Sequence, residues 1–142
     1  MRSKTGSKTI YITDNDMTRL EELLEVAGEN VTRDNKHLEE LSSELLKAEV
    51  VDSTEIPANV VTMNSQVLLL DLDTNESKSY QLVFPREANL EQNRISILAP
   101  IGTAMIGCRV GNVISWNAPA GVRRMKIAKI LYQPEAAGDY HL

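Results

Sequence analysis

Hydrophobic periodicity changes character along this chain near Pro57. Before it, apolar residues recur three and four apart; after it, they alternate with polar ones. Thr9–Thr13 (TIYIT) has the composition of a short strand. Thr13 or Asp14 then offers a side-chain oxygen to start a helix. Met17, Leu20, Leu23, Leu24 and Ala27 lie on one face of that helix, and Gly28 stops it. Residues 28–33 (GENVTR) form a polar loop, and Asp34 is placed to cap a second helix. Leu38, Leu41, Leu45 and Ala48 follow with the spacing of a narrow coiled-coil seam. Two helices of about 14 residues predict an antiparallel hairpin roughly 20 Å long.

Beyond Pro57 the pattern predicts strands. Val60–Leu72 is apolar-rich, with a turn or bulge signal at Asn64-Ser65. Asp73–Ser77 (DTNES) reads as a hairpin turn, and Tyr80, Leu82 and Phe84 alternate up to Pro85. After a polar loop over 86–93 comes Ile95–Trp116 (ISILAPIGTAMIGCRVGNVISW), which reads as strand, short helix, turn and strand. Pro100 suits the first helical position, where an N–H is not needed. Gly107 suits the C′ position, where φ is positive. A last strand carries Met125, Ile127 and Lys129 alternating with Lys126, Ala128 and Ile130. The final nine residues (PEAAGDYHL) read as a polar tail laid along the sheet. The predicted class is α+β: an antiparallel sheet of about five strands with one short helix, preceded by the helical hairpin. The expected divisions are 1–13 (polar N-terminus and short strand), 14–50 (acidic hairpin) and 57–142 (sheet domain with its tail).

Composition narrows the function classes. The 142 residues suffice for one domain with a small appendage. No apolar run approaches the length that crosses a bilayer. The basic, polar start (MRSKTGSK) lacks the apolar stretch of a secretory signal, and a single cysteine, Cys108, fits a reducing cytoplasm. The net charge of −5 is uneven. Residues 14–49 hold eleven acids and four bases, whereas 56–142 hold seven acids and eight bases. An acidic hairpin on a near-neutral body argues against independent nucleic-acid binding and suits a basic partner surface. A solvated helical face is the plain alternative.

Candidate catalytic motifs fail on their chemistry. Gly102 to Gly107 has the spacing of a phosphate-binding loop, but Cys108-Arg109 stands where Lys-Ser/Thr is required. His37 and His141 have no partner at metal-ligand spacing. Cys108 lacks a histidine to activate it, so a packing role fits better than a nucleophile. One Phe, one Trp and four Tyr are too few for an aromatic-lined prolyl isomerase pocket once Trp116 and Phe84 serve the sheet. Neither cofactor nor metal is expected, and the chain is expected not to be an enzyme.

The segment Pro100-Ile-Gly-Thr-Ala-Met-Ile-Gly107 resembles the PIG-x-AL-IG segment of the C-terminal domain of the GreA/GreB transcript-cleavage factors. Val60-Val-Thr-Met-Asn-Ser65 and Tyr132-Gln-Pro-Glu-Ala-Ala-Gly-Asp-Tyr140 are similar to the Rnk branch of that family. This branch is named for an effect on nucleoside diphosphate kinase. The resemblance covers nearly the whole chain after about residue 8 and is strongest after Pro57. It implies an FKBP-like sheet and a non-enzymatic factor that binds RNA polymerase near its secondary channel. There it would compete with Gre factors. It also implies a docking surface at Leu98, Ala99, Pro100 and Ile101, and a channel-facing tip bearing Glu29 and Asp34. Cleavage-competent relatives carry an acidic D-x-x-EN-x-EY tip on a long coiled coil, where carboxylates help hold magnesium. That motif is absent here. Two other readings are a cleavage stimulator using Glu29 and Asp34 with magnesium, and a module that binds nucleoside diphosphate kinase directly.

Overall fold

The computed structural model describes residues 10–29, 36–119 and 121–139. Strand β1 (Tyr11–Thr13) leads directly into α1 (Asp14–Glu29); α2 (Lys36–Lys47) returns and runs into β2 (Glu49–Val51). Strands β1 and β2 pair in parallel, Ile12 opposite Val50. The hairpin is therefore gripped at its root by a two-stranded clip. Of the two expected caps for α1, Thr13 serves: its Oγ1 accepts the Asp16 N–H at 3.0 Å.

The rest of the chain builds one five-stranded sheet, together with α3 (Pro100–Met105) and α4 (Pro134–Ala137). Its strands are β3 (Gln66–Asp71), β4 (Ser77–Val83), β5 (Arg94–Ser96), β6 (Val113–Ala118) and β7 (Gly121–Tyr132), in the order β5-β4-β3-β7-β6. The expected antiparallel sheet needs one correction. Strand β5 lies parallel to β4, Leu82 opposite Ile95. The cause is the segment after Phe84, where two 3-10 turns (Pro85–Glu87 and Leu90–Gln92) bring the chain back beside Gln81, so that β5 runs along the last residues of β4 in the same direction. The remaining pairs are antiparallel. The turn signal at Asn64-Ser65 is real: Asn64 has φ 69°, and β3 begins only at Gln66.

The tail also departs from expectation. Residues 134–137 form a short helix capped at both ends. The Gln133 side chain accepts the Ala136 N–H, Pro134 opens the helix, and Gly138 closes it at φ 83°.

The hairpin and the sheet share a continuous core. Ile10, Ile12, Leu20, Leu41 and Leu45 pack in one buried cluster with Val61, Met63, Leu82, Ile97, Met105, Ile114 and Ile127. The apolar stripes of α1 and α2 thus serve the body at their root as well as each other. Packing of this kind fixes a short hairpin far better than its own few interhelical contacts.

Candidate functional site

Two neighbouring features carry the functional argument: the corner between β5 and α3, and the root of the hairpin.

The corner is built by local rules. The Leu98 N–H donates to Ser96 Oγ at 3.0 Å, and the Ala99 N–H donates to the Ser96 carbonyl at 3.0 Å. Ala99 is the N-cap of α3 and offers no side-chain oxygen; Pro100 follows in the first turn, where no N–H is needed. Thr103 Oγ1 donates to the Ile97 carbonyl at 2.7 Å and pulls the helix onto the strand end. Gly102 permits that approach, because a Cβ there would lie 2.2 Å from the Ser96 carbonyl oxygen. The structure brings Leu98, Ala99, Pro100 and Ile101 together as a half-buried apolar shoulder. Leu98 and Ile101 also rest partly on the core. Beneath them Met105 and Ile106 are fully buried.

At the other end of α3 the hairpin is attached. Gly107 adopts φ 77°, its carbonyl accepts the Tyr11 N–H at 3.2 Å, and its own N–H donates to Val61. A Cβ at this position would come within 2.7 Å of the Ile10 Cβ. The two glycines of the Pro100–Gly107 segment thus have separate tasks: one seats the helix on β5, the other admits the hairpin root.

A buried polar cluster completes the root. Asp16 is 1% exposed. Its Oδ1 accepts from Arg19 at 2.7 Å and its Oδ2 accepts from the Met63 N–H at 3.0 Å. The Arg19 guanidinium lies over the Phe84 ring, 5.1 Å from its centroid. Thr62 Oγ1 donates to Glu135 Oε1 at 2.7 Å, and the Thr62 N–H donates to Ser65 Oγ. Gln133 Nε2 donates to the Pro57 and Val60 carbonyls, both at 2.8 Å. Burial pushes both the Asp16 and the Glu135 carboxyl above the usual carboxylate range. For Asp16 the bonds from Met63 and Arg19 oppose that rise without cancelling it. Nothing in the periodicity singled out this cluster. Thr13-x-x-Asp16 and the Gln133–Gly138 capping pattern were its legible traces.

On the hairpin, Glu21, Glu22, Glu25, Glu39 and Glu40 are exposed, so the acidic charge faces outward. Glu29 ends α1; Asp34 lies outside the described residues. Among the described residues no three metal-ligating side chains converge. Cys108 is buried, its thiol 3.3 Å from the Ala104 carbonyl. No helix among the described residues is long and apolar enough to cross a membrane.

Residues 53–132 match the family model of the transcription elongation factor GreA/GreB C-terminal region, and residues 8–51 match that of the Rnk N-terminus. The chain is 38% identical over 138 residues to the regulator of nucleoside diphosphate kinase of Escherichia coli K12, covering 94% of this chain and 97% of that one. It is 40% identical over 95 residues to the elongation factor GreA of Chelativorans, covering 67% of this chain but 60% of that protein. A GreA/GreB elongation factor structure from Nitrosomonas europaea superposes with a TM-score of 0.73 at 40% identity, covering 87% of this chain and 99% of that one. The two matched regions and the relative aligned over nearly the whole chain agree: this chain belongs to the GreA/GreB family, in its Rnk branch.

Proposed function

We propose that this chain is a non-catalytic regulator that binds RNA polymerase near the secondary channel and competes there with Gre factors without stimulating transcript cleavage. The observation that carries the reading is the hairpin. Its first helix has 16 residues, about 24 Å at 1.5 Å per residue, and its root is locked into the body by Asp16, Met63 and Gly107. A short arm with a fixed direction enters a channel mouth and occupies it. It does not carry carboxylates far inward, and a carboxylate beyond reach of a metal cannot coordinate it.

In this reading residues 14–50 are the channel-facing hairpin, a shortened coiled coil, and 57–142 are the docking domain with an FKBP-like sheet. Leu98, Ala99, Pro100 and Ile101 seat a helix of the polymerase. Their half-buried apolar surface supports this role, since a small preformed shoulder loses little entropy on binding. The exposed glutamates of the hairpin complement a basic channel lining and act chiefly on association rate. The protein works in the cytoplasm, with no cofactor and no nucleic acid of its own.

Competition binding against a Gre factor on core polymerase tests the proposal. Displacement is expected, weakened at high salt and by Pro100→Glu. No displacement at saturating protein would sink it. The cleavage alternative rests on Glu29 and Asp34; it requires shortened RNA from backtracked complexes, lost on changing both residues to alanine. A second reading draws on the name of the Escherichia coli relative, a regulator of nucleoside diphosphate kinase: direct binding of that kinase. Co-purification of the two proteins without polymerase would favour it.

A further inference from the structure

The sheet has a second face, turned away from α3 and the hairpin, that the docking shoulder does not use. Strand register fixes what it presents. Val113, Lys126 and Leu70 form one rung across β6, β7 and β3; Ser115 stands beside Arg124, and a register shift between Leu69 and Leu68 breaks the simple alternation of β7 and sets Lys129 beside Leu68, on the same face as Lys126. On β4, Ser77 and Ser79 continue those rungs. Inward-facing Met125 and Ile127 are buried, while Arg124, Lys126 and Lys129 are exposed. The sole carboxylate within the five strands is Asp71, buried opposite Met125. The outward face of the sheet strands therefore carries cations and no acids. Arg124 is shared with Asp73 of the adjoining turn, at 3.2 Å. Lys126 and Lys129 make no ion pair among the described residues. Val113 is 47% exposed and Val122 is 61% exposed, so apolar surface lies between and beside the charges.

We propose that this face is a second docking surface and that it receives an acidic amphipathic helix of a protein partner. Charge complementarity selects the sign: three basic side chains on one strand, in a protein whose net charge is −5, form a local positive field against the background of the whole. The backbone selects the conformation. Strands β3 and β7 are paired on both sides, so the face offers side chains and no free peptide groups. An extended segment laid on it would bury its own N–H and C=O groups unpaired; a helix arrives with them satisfied. The spacing agrees. Arg124 and Lys126 stand about 6.7 Å apart along a strand, close to the rise of about 6 Å between helical positions i and i+4. Leucines between such glutamates would meet Val113, Leu70 and Leu68. Single-stranded nucleic acid is disfavoured because the face lacks stacking platforms: Tyr132, its aromatic residue, is half-buried and gives its hydroxyl to Asp139. The proposal is independent of the polymerase reading.

The test is an NMR titration of the isotope-labelled full chain. One probe is a synthetic helical peptide with glutamates at i and i+4 and leucines between them; the other is an oligouridylate. The peptide is expected to shift the amides of Leu70, Val113, Arg124, Lys126 and Lys129. Affinity should fall about tenfold in K126E/K129E and with rising salt. K126Q/K129Q provides a milder variant should the reversal disturb folding, and K78E, on the other side of the sheet, should bind normally. Shifts confined to other surfaces, unchanged affinity in both double variants, or preferential binding of the oligouridylate would overturn the proposal. Concentration-dependent self-association abolished by K126E/K129E would assign the face to a second copy's acidic hairpin and equally overturn it.

Discussion

The Asp16 carboxylate accepts the backbone N–H of Met63, tying the first turn of α1 to a residue 47 positions later. The bond links the direction of the hairpin to the sheet. Without it, the Met63 amide is buried with no acceptor from α1. Asp16→Ala also strips the Arg19 guanidinium of this carboxylate. Loss of a buried charged partner costs on the order of 3 kcal/mol. Urea unfolding should show that loss, and Asp16→Asn, which keeps an acceptor for Met63, should lose less. Equal losses in the two variants would contradict the assignment.

Glu135 gives a pH prediction of definite sign. Burial raises its carboxyl above the ordinary glutamate value. A raised acid binds a proton more readily in the folded state, so its contribution to stability is fully present below the ordinary value. That contribution is lost as pH rises through the folded value. Glu135→Gln retains an oxygen for the Thr62 hydroxyl and removes the buried charge. The variant should be more stable than the parent at neutral pH and similar at acid pH. A lower unfolding midpoint at neutral pH would refute this.

Tyr132 should titrate late. Its hydrogen bond to Asp139, assisted by desolvation, pushes the phenol up to about 12. Its stabilising contribution is present below the ordinary tyrosine value and lost as pH rises through about 12. Phenolate absorbance, compared with Tyr132→Phe, isolates this group among the four tyrosines. Asp139→Asn should bring the titration back toward the ordinary value.

The glycines predict a graded series. Gly102→Ala places a methyl 2.2 Å from a backbone oxygen that cannot swing away, and it should prevent normal folding or cost more than about 3 kcal/mol. Gly107→Ala combines a contact of 2.7 Å with a positive φ and should loosen the hairpin root, read as faster amide exchange at Tyr11. Gly138→Ala meets nothing within 4 Å, so it carries only the left-handed penalty of about 1 kcal/mol.

Local chemistry made much of this fold legible. The hairpin followed from leucine spacing, and Leu20, Leu41 and Leu45 are indeed buried. Pro100 and Gly107 stand where their backbone preferences put them. What escaped was decided by contacts between distant segments. The parallel course of β5 depends on the path after Phe84, which no periodicity encodes. Strand β2 is three residues long, too short to display alternation, and exists because β1 lies beside it. The Asp16–Met63 and Thr62–Glu135 bonds join residues whose proximity is a result of folding. The α4 helix was legible and overlooked: Gln133, Pro134 and Gly138 are start and stop signals that the polar composition of the tail obscured. The shoulder at Leu98, Ala99, Pro100 and Ile101 drew attention through the family resemblance of Pro100–Gly107; its apolar letters alone read as core.

The parallel clip of β1 and β2 has a consequence for how such arms diversify. The excursion begins and ends at a pair of strands held in register, Ile12 beside Val50, so the body meets it through its two ends and the root residues Leu20, Leu41 and Leu45. Residues added or removed at the far end leave the socket unchanged, and lengthening a loop costs little in closure entropy. Arm length is thereby separated from scaffold integrity. A hairpin of another reach, bearing another tip, fits the same mount, and natural variants or grafted chimaeras can trade one for another without rebuilding the core.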